Sequence, residues 1–294
     1  MTESAPITKL QELSTALAGL VASTAPSVTA VQSHRSRSSG FVWRPGLIVT
    51  ADEALSEDGE FAVTFSGGDT VPAQLVGRDP TTDVALLRVD RSDLRPVPLE
   101  AAPVPVGALV VAIGAEDGAQ TAALGVVSRS AGPWRSLRGG EIDARIELDL
   151  RLRRSAEGGL ALDPAGRAIG MTVFGPRRRV LVIPSATIAR VAARLESHGR
   201  IPRGYLGLGL RLVALEGGRS GAMVMNVDPR GPGATAGIYQ GDIVINWNNE
   251  PIRHVQSVLH ALGPDSIGQT VTIGLRRAGE TKQVSLTIAE RPAA

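Results

Sequence analysis

Two clusters of arginine side chains stand out in this 294-residue sequence, one at residues 151–154 and the other at residues 177–179. Clustered guanidinium groups bind nucleic acid best when aromatic side chains alternate with them and stack on the bases. Neither cluster alternates with aromatic residues, which make up only 3% of the chain. The clusters are therefore interpreted as solvated faces or as contacts to protein, and no nucleic-acid partner is predicted.

Side chains that act as nucleophiles or metal ligands are scarce. Cysteine is absent, so the chain has no disulfide framework, no thiol nucleophile and no cysteine-based metal site. The four histidines, His34, His198, His254 and His260, are spread along the chain. The 31 basic residues barely exceed the 29 acidic ones, and so small an excess does not indicate a polyanionic partner. No cofactor and no resident metal are predicted.

Short apolar runs between turn signals predict mostly β-strands. They recur at residues 41–43, 46–50, 61–65, 71–76, 84–89, 109–113, 125–127, 142–152, 159–162, 168–174 and 180–183. This regular spacing, in a chain with 34 Gly and 19 Pro, favours an all-β barrel or sandwich. A helix is predicted around residues 10–20, with leucines at helical spacing, and another at residues 186–197. Residues 34–40 and 128–143 are predicted to be loops.

The chain length predicts about two domains. We place the first domain at residues 1–197 and the second at residues 204–294. Residues 198–203 contain Gly199 and Pro202, which are typical of a linker.

The sequence predicts a cytoplasmic protein, with the periplasm as the alternative. No stretch reaches the roughly 18–20 apolar residues that a membrane span needs. The apolar segment at residues 13–25 follows Glu12 and a single Lys9, whereas a secretory signal begins with a basic leader. We therefore expect neither a membrane span nor a signal peptide.

Several segments, taken in order, resemble the HtrA/Deg family of trypsin-like proteases. Residues 40–50 are similar to the strand–turn–strand that leads to the family's catalytic histidine, and residues 73–89 are similar to its next hairpin. Residues 107–114 and 125–127 follow in the family's order, and residues 147–161 stand where its nucleophile loop belongs. The resemblance implies a mainly β fold, in which a chymotrypsin-like double β-barrel is followed by a PDZ domain of the α+β type.

The resemblance also implies where a Ser-His-Asp triad would stand. Asp83 takes the aspartate position, but Glu53 takes the histidine position and Glu157, before Gly158-Gly159, takes the serine position. A carboxylate does not serve as the serine alkoxide, and Ser155 as a displaced nucleophile would lack its base. We therefore predict a catalytically inactive member, a pseudoprotease, with no catalytic residues and no enzyme activity.

Three carboxylates at a former triad must be accommodated by the surrounding structure. Two like charges about 4 Å apart repel by roughly 4 kcal/mol at an effective dielectric near 20. Arg153, Arg154 and the arginines at residues 177–179 are the expected partners, which would leave a neutralised relic. A bridging divalent cation and a carboxylate-pair hydrolase are the alternatives. The stretch at residues 153–156 also replaces the family's turn that builds the oxyanion hole.

The second domain keeps more of the family's pattern. Tyr205, Leu206, Gly207 and Leu208 resemble the PDZ loop that binds a peptide carboxylate, because glycine lets successive N–H groups point into one concavity. Val255 and Leu259 lie on a helix predicted to form the other wall of the peptide groove. A PDZ-shaped packing module with a closed groove is the alternative.

These features predict a protein-binding scaffold, adaptor or accessory subunit that uses the PDZ groove and the barrel surface. Its partners are predicted to be proteins, engaged in part through a C-terminal peptide. An enzyme with a repurposed carboxylate site and a chaperone-like peptide holdase are the alternatives. The family's trimer is not predicted, because it uses aromatic residues near the N-terminus and none precedes Phe41.

Overall fold

The computed structural model describes residues 5–34, 36–57, 60–100 and 103–292. Within them the chain divides into two compact units. The first unit holds the residues up to 134 together with 141–200, and the second holds residues 135–140 together with those from 201 onward. The chain is mainly β, and the predicted double β-barrel is confirmed in the first unit.

The first barrel follows an N-terminal helix, α1 (Ala5–Thr24). Six antiparallel strands close in the order β1-β2-β3-β6-β5-β4. They are β1 (Val28–Ser33), β2 (Ser36–Arg44), β3 (Leu47–Thr50), β4 (Phe61–Thr64), β5 (Thr70–Asp79) and β6 (Val84–Val89). Inward-facing apolar side chains such as Val42, Ile48 and Leu87 fill the barrel, and burying them is the main favourable term in its folding.

The second barrel closes in the order β11-β14-β13-β12-β7-β8, while β9 and β10 form a separate pair. The strands are β7 (Leu109–Glu116), β8 (Ala119–Ala131), β9 (Trp134–Arg135), β10 (Glu141–Ile142), β11 (Arg145–Asp149), β12 (Leu160–Leu162), β13 (Ala168–Phe174) and β14 (Val180–Pro184). Helix α2 (Ser185–His198) follows and buries Ile188, Val191 and Leu195. It ends at Gly199, whose left-handed conformation is typical of a C-cap.

Two predicted loops are strands in the structure. Residues 36–40, predicted as loop, open β2, because Ser38 and Ser39 are buried in the barrel and the Ser39 hydroxyl donates to the Ser155 carbonyl at 2.6 Å. Within the predicted loop 128–143, β8 continues to Ala131 and β9 pairs with β10. Polar residues form strands at these places because their backbones pair with neighbouring strands, residues 36–40 with β1 and residues 129–131 with β11.

The second unit is built on one antiparallel sheet with the order β16-β17-β18-β20-β21, to which β19 adds at β18, and on the pair β15-β22. Its strands are β15 (Gly204–Tyr205), β16 (Leu208–Ala214), β17 (Ser220–Val227), β18 (Ile243–Trp247), β19 (Glu250–Pro251), β20 (Thr270–Arg277), β21 (Glu280–Thr287) and β22 (Ala289–Glu290). Its helices are α3 (Pro232–Thr235) and α4 (Val255–Ala261). Five 3-10 turns complete the described chain, at Ala25–Ser27, Arg154–Ala156, Pro176–Arg178, Glu216–Gly218 and Pro264–Ser266.

Candidate functional site

Asp83 lies in the turn between β5 and β6, in a left-handed conformation with a φ of 60°. Such a conformation costs about 1–3 kcal/mol in a non-glycine residue and persists only where neighbouring contacts hold it. Here the Asp83 Oδ1 accepts a hydrogen bond from the Glu53 backbone N–H at 2.7 Å. The Asp83 carboxyl group is thereby attached to the turn that follows β3, which carries Glu53.

A buried ion pair supports that turn. Asp52 is 3% exposed, and the Arg78 guanidinium bonds both its carboxylate and its backbone oxygen. Arg78 also donates to the Ser56 carbonyl at 3.3 Å. Glu53 therefore stands next to a fixed point of the first barrel, although its own side chain is exposed.

Glu157 reaches the same region from the second barrel. It follows the 3-10 turn Arg154–Ala156, and its backbone carbonyl accepts from the Ser39 N–H at 2.7 Å. Its half-buried carboxylate accepts from the Phe174 N–H at 3.2 Å. The loop positions that carry Glu53, Asp83 and Glu157 are thus each tied to the barrels by backbone hydrogen bonds.

The charges of the three carboxyl groups act on one another. Burial raises the pKa of Asp83 to about 8, and the charges of Glu53, Glu157 and Asp52 raise it further against the hydrogen bond from Glu53. Burial also raises the pKa of Glu157, together with the charge of Glu53. At neutral pH Asp83 therefore carries a proton. The site then holds a carboxylic acid beside carboxylates, and general acid–base catalysis uses such a proton donor together with a proton acceptor.

Two of the five arginines predicted to neutralise this cluster pair with other acids. Arg153 lies 3.8 Å from Glu116, and Arg179 lies 3.3 Å from Glu147. Arg154 and Arg178 act on Glu157 through their charges, which lower its pKa without reversing the effect of burial. Protonation of Asp83 therefore lowers the repulsion between the carboxyl groups more than ion pairing does.

The segment 153–159, which we call the Glu157 turn, uses its backbone N–H groups internally. Ala156 and Glu157 donate to the carbonyls of Arg153 and Arg154, which closes a 3-10 turn. Gly158 donates to the Thr172 carbonyl at 2.8 Å, and Gly159 donates to the Ala156 carbonyl at 3.1 Å. These four donors are not available to an oxyanion in this conformation.

Metal binding at the carboxylates finds no support in the geometry. Among the residues that the structure describes, no group of three or more His, Asp or Glu side chains is arranged to hold a metal ion.

The second candidate site is the loop of residues 205–208, which we call the Tyr205 loop. Gly207 has a φ of 71°, and its carbonyl accepts from the Asp228 N–H at 2.8 Å. The Tyr205 hydroxyl donates to the Asp228 carboxylate at 2.9 Å, and the Leu206 carbonyl accepts from the Gly233 N–H at 2.8 Å. The loop is thus braced on its carbonyl side, and within the described part of the chain no acceptor bonds the N–H groups of Leu206 and Gly207.

The strand β16 lies beside α4 at the end of its sheet. Among the described strands it pairs with β17 alone, so it is an edge of the sheet, and α4 contacts it. Leu208 and Leu210 pack on the core, Val255 is half-buried, and Leu259 is 45% exposed. The structure therefore brings the predicted residues of the loop and of the helix to neighbouring elements.

Sequence reasoning missed two residues that shape these sites. Asp228 holds the Tyr205 loop, and it stands in the turn signal Asp228-Pro229-Arg230-Gly231, which the sequence displays. Thr172 receives the Gly158 N–H, and its hydroxyl donates to the Ala156 carbonyl at 3.0 Å. No local signal marks Thr172, because its partners lie 13–16 residues away along the chain.

Two family models match the chain. A trypsin-like peptidase domain matches residues 38–171, and a PDZ domain matches residues 204–288. The second match confirms the predicted PDZ domain behind the double barrel.

Curated relatives and a solved structure align with most of the chain. Proteins named "Probable periplasmic serine endoprotease DegP-like" from Bartonella henselae and Rhizobium meliloti are 31% and 29% identical over 91% and 88% of it. The chain spans only 57% and 54% of the length of these two relatives. The crystal structure of the serine endoprotease from Yersinia pestis superposes with a TM-score of 0.72 at 28% identity, covering 94% of this chain and 98% of that one.

The names of these relatives correct two predictions. The prediction that the chain is not an enzyme is contradicted, because proteins that align with most of it are named serine endoproteases. The predicted cytoplasmic location is contradicted as well, because the same names place the relatives in the periplasm. Within the described residues, no helix is both long and apolar enough to cross a membrane.

Proposed function

We propose that this chain, an HtrA/DegP-type protein with a trypsin-like peptidase domain and a PDZ domain, binds extended peptides of protein partners at the edge of its PDZ sheet. The observation that carries the proposal is the free edge of β16 beside α4, with the Tyr205 loop at its start. An edge strand offers unpaired N–H and C=O groups, to which a peptide adds as a further strand.

The Tyr205 loop would bind the carboxylate at the end of such a peptide. Its Leu206 and Gly207 N–H groups have no acceptor among the described residues, so an incoming carboxylate gains hydrogen bonds without breaking others. Tyr205 and Leu208 would frame this loop, while Val255 and Leu259 on α4 would supply apolar contacts for the peptide side chains. Through this groove and the barrel surface the chain would hold its partner as a scaffold, adaptor or accessory subunit does.

Peptide titration tests this proposal. A labelled peptide with an apolar free C-terminus should bind at least about tenfold more tightly than its amidated form, because a hydrogen-bonded charged group contributes about 1.5–3 kcal/mol. Leu259→Glu should weaken binding, because it places a charge in the groove. Met225→Glu is the matched control, since Met225 is 43% exposed and lies on β17, which is paired on both sides. Equal affinity for both peptide ends would overturn the proposal.

Peptide hydrolysis by a carboxyl pair is a second candidate, favoured by the relatives' names and by the raised pKa of Asp83. A water molecule would lose a proton to the Glu157 carboxylate and attack the peptide carbonyl, while protonated Asp83 would donate its proton to the leaving amine. Because Asp83 must hold its proton, the rate should fall as the pH rises through about 8.

Hydrolysis of casein between pH 5 and pH 9 tests the second candidate. Asp83→Asn and Glu157→Gln should each lower the rate by about 100-fold or more, as expected for the loss of a general acid or base. Glu60→Gln, at an exposed position, is the control and should leave the rate unchanged. No hydrolysis at any pH, or labelling of a serine by a fluorophosphonate, would overturn this mechanism and leave the peptide-binding proposal to its own test.

A further inference from the structure

The second barrel contains a cleft that borders the Glu157 turn. Its volume is about 1000 Å³, at the upper end of the range typical of ligand-binding sites. The walls come from the β7–β8 hairpin, from residues 149–156 and from the loop between β13 and β14. All lining residues belong to the first unit, so the cleft is a property of the barrel alone.

Arginine dominates the charge of this cleft. Arg151, Arg153, Arg154 and Arg178 line it, against the single carboxylate of Asp149. Arg153 is partly engaged by Glu116 at 3.8 Å. The other three make no ion pair with any residue that the structure describes, which distinguishes them from the paired arginines of the same barrel. Unpaired like charges that share a cleft favour the entry of an anion.

The loop that carries Arg178 is fixed from behind. Glu147 is 7% exposed and pairs with Arg145 at 2.8 Å, with Arg179 at 3.3 Å and with Arg129 at 3.6 Å. The Arg179 contact holds the end of the loop. On the cleft side, the Arg178 guanidinium lies 5.6 Å from the centre of the Phe174 ring. Arg178 is therefore positioned before any ligand binds, which reduces the entropy lost on binding.

The position of the cleft indicates what kind of anion enters it. Ala156 and Phe174 both line it, and each is a direct neighbour of Glu157, Ala156 in sequence and Phe174 through its N–H. A polypeptide lying across the Glu157 turn would therefore place a side chain in the cleft. Guanidinium groups bind carboxylates through paired N–H···O bonds, so the complementary side chains are aspartate and glutamate.

We propose that the cleft binds an acidic side chain of a polypeptide and so selects acidic partner segments. The inference rests on the proposed function in one respect, since both require a polypeptide ligand, but it assigns a separate site to the barrel. Single-stranded nucleic acid is the competing anion. It is disfavoured because Phe174 is the one aromatic residue among those lining the cleft, and the Arg178 guanidinium already lies over one face of its ring.

Fluorescence anisotropy of a labelled peptide, acetylated and amidated at its ends, tests the proposal on the full chain. The blocked ends remove carboxylate capture by the Tyr205 loop. The peptide carries one central Glu, and its partner peptide carries Gln in the same place. The Glu peptide should bind at least about tenfold more tightly, in keeping with a hydrogen bond to a charged group. Arg178→Gln and Arg154→Gln should each remove most of this difference, whereas Arg178→Lys should keep part of it.

Matched controls separate this site from general attraction and from the groove of the second unit. Arg88→Gln changes an exposed arginine on β6 and should leave the Glu/Gln difference intact. A free-ended peptide without acidic residues should bind Arg178→Gln as tightly as it binds the wild type. If this peptide did not bind the wild type at all, the result would count against the proposed function alone. Equal affinity for the Glu and Gln peptides, an equal loss in Arg88→Gln, or displacement of the Glu peptide by a short oligonucleotide at equal concentration would overturn the inference.

Discussion

The Glu157 turn and the Tyr205 loop are two glycine-containing backbone segments with opposite hydrogen bonding. Both contain glycine in a left-handed conformation, Gly158 with a φ of 83° and Gly207 with a φ of 71°. In the Glu157 turn the N–H groups donate to carbonyls of the turn itself and of Thr172. In the Tyr205 loop the carbonyls are bonded while two N–H groups point to no acceptor among the described residues.

The difference shows that glycine content alone does not make an anion site. Glycine permits the close approach of backbone atoms, but the donors bind a ligand only if the fold has not used them already. The neighbours decide this. The Asp228 turn satisfies the carbonyls of the Tyr205 loop, whereas Thr172 and the 3-10 turn satisfy the donors of the Glu157 turn.

The largest effect is expected at Gly158, where the Glu157 turn is tightest. A Cβ atom there would lie 2.3 Å from the Ser39 carbonyl oxygen and 2.8 Å from the Thr50 hydroxyl. Adding the clash to the left-handed φ, we expect Gly158→Ala to lower the free energy of unfolding by about 4 kcal/mol.

The control for Gly158→Ala is Gly107→Ala. Gly107 has a φ of 85° and no atom within 4 Å of its added Cβ, so its substitution should cost only about 1 kcal/mol. Urea unfolding measures both variants. Equal losses would show that the turn yields to a side chain, and the contrast with the Tyr205 loop would disappear.

Gly207→Val should have the next largest effect, about 3 kcal/mol on the unfolding of the second unit. Its Cβ would lie 2.9 Å from Gly231 and 3.2 Å from the Asp228 Cβ, so the brace behind the loop must shift. Binding of a free-ended peptide should be lost in parallel. Gly237→Val, with a φ of 74° and open space around it, controls for backbone strain. Unchanged peptide affinity in Gly207→Val would show that the Tyr205 loop does not hold the carboxylate.

Asp83→Asn should remove the pH dependence of stability that the raised pKa of Asp83 causes. The folded pKa of about 8 exceeds the ordinary 3.8, so the folded state keeps a proton that the unfolded state releases between these values. The contribution of Asp83 to stability is therefore complete below about pH 4 and is lost as the pH rises through about 8. Asparagine keeps the acceptor for the Glu53 N–H and does not ionise.

The wild-type minus Asp83→Asn difference in unfolding free energy, measured from pH 4 to pH 9, isolates this effect. The subtraction removes the contributions of carboxylates whose pKa values are lowered, such as Glu147 beside Arg145, because both proteins contain them. Those carboxylates change the stability with pH in the opposite direction. A flat difference would show that Asp83 ionises normally and that the carboxyl cluster is open to solvent.

The smallest effect is expected for Tyr205→Phe, at about 1 kcal/mol. The change removes the hydrogen bond to the Asp228 carboxylate, which still accepts from the Arg230 N–H at 3.0 Å. Tyr239→Phe is the matched control, because Tyr239 is 61% exposed and its hydroxyl bonds no described residue. Thermal unfolding measures both variants. A lower unfolding temperature for Tyr205→Phe than for Tyr239→Phe would support the role of Asp228 in holding the loop.

The sequence predicted the elements better than the contacts that decide the sites. Alternating apolar residues and turn signals gave the strands of both barrels, because each strand buries one face locally. Residues 36–40 were missed because Ser38 and Ser39 are polar and yet buried, and the hydroxyl of Ser39 bonds Ala115 and Ser155, more than 70 residues away.

The sequence pattern predicted the positions of the site residues but not their protonation. Order along the chain predicted that Glu53, Asp83 and Glu157 lie near one another, whereas the burial that raises the pKa of Asp83 depends on the complete barrels. Of the predicted arginine partners, Arg154 and Arg178 act on Glu157 through their charges. Arg153 and Arg179 instead pair with Glu116 and Glu147, and nothing in their spacing marks those acids.

The open edge of β16 has a consequence for competition among partners. Hydrogen bonds to a sheet edge are made by the main chain, which every polypeptide shares, so affinity depends weakly on the identity of the ligand. Free C-termini of similar side-chain composition would then differ little in affinity for the groove. The fraction of grooves occupied by each partner would follow the relative concentrations of the partners. If one partner were removed, the next most concentrated one would occupy the groove.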